Sequence, residues 1–253
     1  MDTDANRGQR MGKIAEWLLK HKNTIRPETA QQKWGDIAEY TARECPKKVA
    51  NLFLLCCLID YQTKTGIAWG KGSQFIKKVP CPDEVWEKIS NYTREEWESE
   101  ANFKGCGLHW MHKAHNRLWQ IAKNICFYYD GDARRIWQET NSFDALCRLA
   151  YIGAGSQISR MIVGALKDCG QLSGKCDVKA DVYICRVLGR AISGKDASPT
   201  DAMDLARQLH PSDPWQLDWP LWNIGDLYCK STDPKCSECV LAENCLYAHE
   251  HTH

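Results

Sequence analysis

Cys229-Lys230-Ser231-Thr232-Asp233-Pro234-Lys235-Cys236-Ser237-Glu238-Cys239-Val240-Leu241-Ala242-Glu243-Asn244-Cys245 sets four cysteines at C-x6-C-x2-C-x5-C within 17 residues. Four thiols that close in sequence read as ligands of one metal centre, which makes this segment a metal-held loop. Soft thiolates select zinc or an iron–sulfur cluster over magnesium or calcium, and both accept four cysteines. A structural zinc site usually brings its ligands as two short-spaced pairs. Here only Cys236 and Cys239 form such a pair, and the wider flanking gaps suit the larger [4Fe–4S] cubane, with zinc as the runner-up.

Working back from the loop, two segments stand out. The first is Ala150-Tyr151-Ile152-Gly153-Ala154-Gly155-Ser156-Gln157-Ile158-Ser159. Gly153 and Gly155 can adopt positive φ and let backbone N–H groups approach a phosphate, and the helix that follows adds its N-terminal dipole. Ile158, Met161, Ile162, Ala165 and Leu166 recur at helical spacing, so that helix buries one face and leaves the turn exposed. The second is Lys179-Ala180-Asp181-Val182-Tyr183-Ile184-Cys185-Arg186-Val187. Asp181 precedes an amphipathic helix with Ile184, Val187, Leu188, Ala191 and Ile192 on one face, so a helix cap is one reading of it and a working carboxylate is the other.

In this order and spacing, hairpin, aspartate and cysteine loop resemble the helix-hairpin-helix (HhH-GPD) DNA glycosylases of the iron–sulfur endonuclease III and adenine-DNA glycosylase family. The cysteine spacing is that family's cluster pattern. The turn is similar to its Leu-Pro-Gly-Val-Gly hairpin, with Tyr151-Ile152 in place of Leu-Pro, and 179–187 is similar to its Val-Asp-Thr-His-Ile-x-Arg-Val segment. The resemblance implies an all-α, two-lobed fold with a C-terminal [4Fe–4S] loop. One lobe is a six-helix body over 43–169 carrying the hairpin. The other joins 1–42 to 170–253 and carries the catalytic Asp181 and the cluster ligands Cys229, Cys236, Cys239 and Cys245. DNA would lie between the lobes.

Further roles come only from the resemblance. Leu58-Ile59-Asp60-Tyr61-Gln62-Thr63 is similar to a hairpin whose glutamine probes the gap left by an extruded nucleotide. That makes Gln62 the probe and puts Asp60 and Tyr61 near the base pocket. Gly107-Leu108-His109 looks like the family's wedge loop, giving Leu108 and His109 a place in the stack, although either segment also reads as an ordinary helix end or loop. Gly153, Gly155 and Gln157 belong to the DNA-binding turn. Gln157 occupies the position where bifunctional members carry a Schiff-base lysine. An amide forms no imine, so the implied enzyme is a monofunctional glycosylase of base-excision repair without abasic-site lyase activity. Cys57 stands where the adenine-specific branch has a glutamate, which argues against adenine as the base removed. The alternatives are a non-catalytic DNA-binding relative and an enzyme acting on hypermodified bases.

Composition fits a chain that buries a substantial core: 253 residues, 43% hydrophobic, with a formal net charge of only +1. No apolar run approaches the length of a membrane span, and the first residues lack the apolar stretch of a secretory signal. The expectation is a monomer of the cytoplasm, nucleoid or nucleus that is not secreted and that binds double-stranded DNA but no membrane. Fourteen cysteines do not imply disulfides in a chain of this size; Cys56, Cys57, Cys126 and Cys185 lie in apolar stretches, where a reduced cysteine behaves as a small core hydrophobe. Charge is segregated: 83–100 holds seven acids, whereas 101–125 holds none and carries Lys104, Lys113, Arg117 and Lys123. This reads either as a basic face or as a solvated helix beside an acidic loop.

Helical periodicity appears over 11–20, 34–41, 48–61, 112–128, 156–168, 182–193 and 200–209, with no sustained strand alternation. Residues 49–59 are apolar almost all round, which predicts a buried helix. The polar, glycine-containing stretch 170–179 is the clearest linker.

Overall fold

The structure is a computed structural model that describes residues 4–22, 47–59, 82–99 and 114–251. Every regular element among the described residues is helical. The chain divides into two compact units, one of Met1–Gln32 with Lys175–His253 and one of Lys33–Gly174.

In the second of these, α2 (Lys47–Ile59) is buried nearly all round, from Val49 to Ile59. Its one buried amide, Asn51, is fully satisfied. Nδ2 donates to the carbonyls of Asp83 and Gly131, and Oδ1 accepts from the Ala133 N–H at 3.0 Å. A buried polar group left unpaired would cost about 1–3 kcal/mol; here it ties two separate segments, at Asp83 and at 131–133, to one helix. α3 (Val85–Asn91) packs against α2, α4 (Arg94–Glu98) and α3 pack against α5 (Ala114–Tyr129), and α6 (Arg134–Trp137) packs against α2. Trp86 and Trp97 are wholly buried, and Phe53 meets Trp137 edge to face at 6.0 Å. Thr93 and Glu96 form a reciprocal capping box that starts α4. The unit closes with α7 (Ser142–Ile152) and α8 (Ser156–Asp168), the two helices of the glycine hairpin.

The other unit packs α1 (Asp4–His21) with α9 (Val182–Ser193), α10 (Pro199–Leu209), α11 (Asp218–Leu227) and the short α12 (Leu246–His251). Ile14 and Leu18 of α1 enter a core made with Ile184, Leu188, Leu221, Ile224 and Leu241, and Cys229, Cys239 and Cys245 rest against its edge. Gly225 is where α11 comes closest to α9, since a Cβ there would lie 2.6 Å from that of Tyr183. Gly194 ends α9 in the left-handed region at φ 72.

The helices over 48–61, 112–128, 156–168, 182–193 and 200–209 have counterparts in α2, α5, α8, α9 and α10, and the 11–20 periodicity extends back to Asp4. The 34–41 segment lies outside the described residues. Periodicity does not reveal α11, because Trp219, Pro220 and Trp222 crowd its sequence and blur a single apolar stripe. No helix among the described residues is long and apolar enough to cross a membrane.

Candidate functional site

Val178, Lys179, Ala180 and Asp181 lead into α9 in an alternating pattern. Val178 and Ala180 are buried, whereas the Lys179 and Asp181 side chains keep 21% and 15% of their exposure and sit together on the outer side. Asp181 is extended, with ψ −178, and caps α9: Oδ1 accepts from the N–H groups of Tyr183 at 3.0 Å and Ile184 at 3.1 Å. Oδ2 lies 3.4 Å from Lys179 Nζ. The Lys179 N–H donates to Oδ2 of the buried Asp218 at 2.5 Å, which pins the approach to the helix. One turn along, the Cys185 thiol is pushed up to about 11, by burial first and by the Asp181 charge second.

Beside the aspartate stands an aromatic wall. Tyr183 meets Trp222 at 5.4 Å, and Trp222 stacks on Trp219 at 5.6 Å and 10°. Burial and the nearby Asp226 push the Tyr183 phenol above its ordinary value. The Arg186 guanidinium covers the Tyr183 ring at 5.3 Å and also donates to the carbonyls of Cys229 and Gly225.

The same helix reaches the cysteine loop. Arg190 donates to the Lys230 carbonyl at 2.7 Å and to the Ser231 carbonyl at 3.3 Å, places Nη1 3.8 Å from Cys229 Sγ, and pairs through Nε with Asp196. Burial raises the Cys229 and Cys245 thiols and takes Cys239 to about 11, while Arg190 and Arg186 pull Cys229 back. Neighbouring thiols of the loop add to the rise, Cys245, Cys229 and Cys236 at Cys239, and Cys229 and Cys236 at Cys245. Among the described residues, no three or more His, Cys, Asp or Glu side chains are gathered closely enough to hold a metal ion. The donor set itself, four thiols within 17 residues of sequence with an arginine 3.8 Å from one of them, is of the chemical type that zinc or an iron–sulfur cluster takes. Lys230 and Lys235 are about half exposed beside local acids, Asp226 and Glu238, at 3.8 and 3.9 Å.

The hairpin is built differently. Gly153 is left-handed at φ 102, and Ala154 N–H bonds back to the Leu149 carbonyl at 2.9 Å, closing α7 as a Schellman turn. The sequence leads one to expect positive φ at both glycines, but Gly155 sits at φ −67, an ordinary value, as the N-cap of α8 with no side-chain cap. An added Cβ there would stand 2.6 Å from Arg117 Nη2, the movable end of a long side chain, so the guanidinium and not the backbone would have to give way. Arg117 donates through Nε to the Gly153 carbonyl at 2.9 Å, and Asn124, two turns along α5, donates to the Ile152 carbonyl at 3.0 Å. In the sequence Arg117 is only one cation of a basic stretch; its place on the turn depends on packing across 36 residues. Gln157 is exposed in the first turn of α8.

Asp60, Tyr61, Gln62, Leu108 and His109 lie outside the described residues. Asp181 and the four cysteines fall in one unit, linked by α9, and Gly153, Gly155 and Gln157 fall in the other.

Sequence comparison with known protein families and with curated proteins finds no match. Solved structures do match over nearly the whole chain. A thermostable thymine-DNA glycosylase aligns with TM-score 0.63 and 17% identity over 96% of this chain and 98% of its own. Endonuclease III in a trapped covalent intermediate with DNA, an estranged-adenine complex, aligns with TM-score 0.60 and 14% identity over 91% of this chain and 100% of its own. Endonuclease III in a non-covalent DNA complex gives 0.59 and 15%, over 90% and 99%. The chain therefore has a DNA glycosylase fold, the all-helical fold shared by that thymine-DNA glycosylase and by endonuclease III.

Proposed function

We propose that this chain is a DNA glycosylase of base-excision repair, acting as a monomer on double-stranded DNA and hydrolysing the N-glycosidic bond of a damaged or modified base turned out of the stack. The observation that carries the reading is Asp181. Its carboxylate is largely buried, yet its Oδ1 is held by two backbone N–H groups and its Oδ2 is set beside Lys179 on the outer side of the segment. Breaking the bond puts positive charge on the sugar, which a fixed carboxylate stabilises while it orients or deprotonates the incoming water. Extruding the base costs a few kcal/mol, which insertion of Gln62 and Leu108 would offset, with His109 beside the wedge and Asp60 and Tyr61 near the extruded base.

Strand binding falls to the hairpin, where the α8 N-terminus has a glycine cap and Arg117 lies against the turn. Such a site suits a phosphate. Gln157 supplies no amine, so the product is an intact abasic strand without lyase cleavage.

Cys229, Cys236, Cys239 and Cys245 are the residues that would hold a [4Fe–4S] cluster, with zinc as the other candidate. Such a centre, when bound, supplies a cross-link that folds the loop. Arg186 and Arg190 tether that loop to the helix headed by Asp181. Visible absorption and iron content of the purified protein separate the two metals. Cys236→Ser should lose the iron–sulfur absorption and lower the melting temperature; a colourless variant with unchanged stability and DNA affinity would remove the cluster from the loop's organisation.

The function is tested on duplex oligonucleotides carrying one modified base each. Base release without strand scission is expected, abolished by Asp181→Asn, which keeps the size and much of the capping. A folded Asp181→Asn protein that excises at the wild-type rate would leave Asp181 as a cap alone.

A further inference from the structure

We infer that Lys179 is a positioning residue for Asp181, acting on the reaction through that carboxylate rather than on DNA. The inference rests on the catalytic reading of Asp181. Oδ1 is spent on the Tyr183 and Ile184 N–H groups, which leaves Oδ2 as the working oxygen, and Lys179 Nζ stands 3.4 Å from it. The arrangement follows from local geometry. Side chains two apart on an extended segment share a side, and the burial of Val178 and Ala180 forces Lys179 and Asp181 outward together. Asp218 on α11 grips the Lys179 backbone N–H at 2.5 Å, so the main chain from which the lysine side chain starts is anchored.

An ammonium against the sugar would oppose the positive charge that develops there. Set beside Oδ2, it fixes the rotation of Asp181 while the water or the sugar takes the open side of that oxygen. Among the described residues, Cys185 and Tyr183 on α9 feel the Asp181 charge, and Asp226 and Arg186 act on Tyr183. Cys185 and Tyr183 are ordinarily neutral side chains, whereas Lys179 brings a charge to Oδ2.

The test uses the full chain with Lys179→Gln, which removes the charge, and Lys179→Arg, which keeps it. Four quantities are read: single-turnover excision rate, duplex affinity across salt, melting temperature, and the carbon NMR chemical shift of the Asp181 carboxyl at neutral pH. For Lys179→Gln the rate is expected to fall on the order of ten- to a hundredfold. Affinity and salt slope should stay unchanged, and the Asp181 carboxyl resonance should move. Lys179→Arg should restore most of the rate and the wild-type resonance.

A Lys179→Gln protein with unaltered rate and carboxyl resonance would overturn the inference. So would a loss confined to affinity with a shallower salt slope, which marks a phosphate contact, or a borohydride-trapped adduct that disappears in Lys179→Arg, which marks a nucleophile. The carboxyl resonance needs no turnover. If the wild-type protein releases no base, the glycosylase reading fails by itself, and an unmoved resonance would still overturn the pairing.

Discussion

The helices α8 and α9 begin in opposite ways. The first is capped by Gly155, which has no side chain to turn back on the helix, and the second by Asp181, whose Oδ1 takes two of the first N–H groups. A helix N-terminus carries about half a positive charge. In α9 the chain supplies its own anion. In α8 it supplies none, and it adds the Arg117 guanidinium beside the turn. One motif of local structure thus serves two ends: a terminus built to hold a carboxylate still, and a terminus that can take an anion from outside.

The contrast is broken most severely at Asp181. Asp181→Ala should slow excision by about 10²- to 10⁴-fold while costing only about 1 kcal/mol of stability for the lost cap. Single-turnover kinetics beside thermal unfolding would separate the two, and a stability loss with unchanged rate would reduce Asp181 to a cap. Making the first terminus resemble the second is the converse change. Gly155→Asp should weaken duplex binding on the order of tenfold and flatten its salt dependence, with little loss of helix stability, since aspartate is a good cap; undiminished affinity would take the hairpin out of DNA binding. Arg117→Ala should weaken binding a few-fold and lower the salt slope by about one, seen in affinity titrations at several salt concentrations.

The smallest effect sharpens the α9 side. Cys185 has its pKa raised from 9.0 to about 11 in the folded chain, so its contribution is fully present below pH 9 and is lost as pH rises through about 11. Stability should therefore fall over that window by roughly 1–2 kcal/mol. Because the Asp181 charge is part of the cause, Asp181→Asn should shrink the fall, and Cys185→Ala should abolish this contribution; pH-dependent unfolding of the three proteins checks both.

Part of this arrangement is legible in the amino-acid sequence. Aspartate ahead of a helical apolar stripe reads directly as the start of α9, since capping and periodicity are local, and the same holds for the glycine at the end of α7 and the buried character of α2. Gly155 shows the limit. Its identity is legible, but its surroundings are not: its φ is ordinary, and the tip of Arg117 lies over it.

By itself, the sequence determined the helical class, the hairpin turn, the Asp181 cap and a four-cysteine loop of metal-ligand spacing, all set by residues within a few turns of one another. Tertiary structure alone decided that Arg117 and Asn124 would seat the turn from 36 and 28 residues away, and that Arg186 and Arg190 would tie the Cys229 segment to α9 across about forty. It also decided that Asp218 would anchor Lys179. The physical reason is that periodicity tells which face of a helix is buried but not against what. A long-range hydrogen bond exists only once packed cores have brought donor and acceptor within reach.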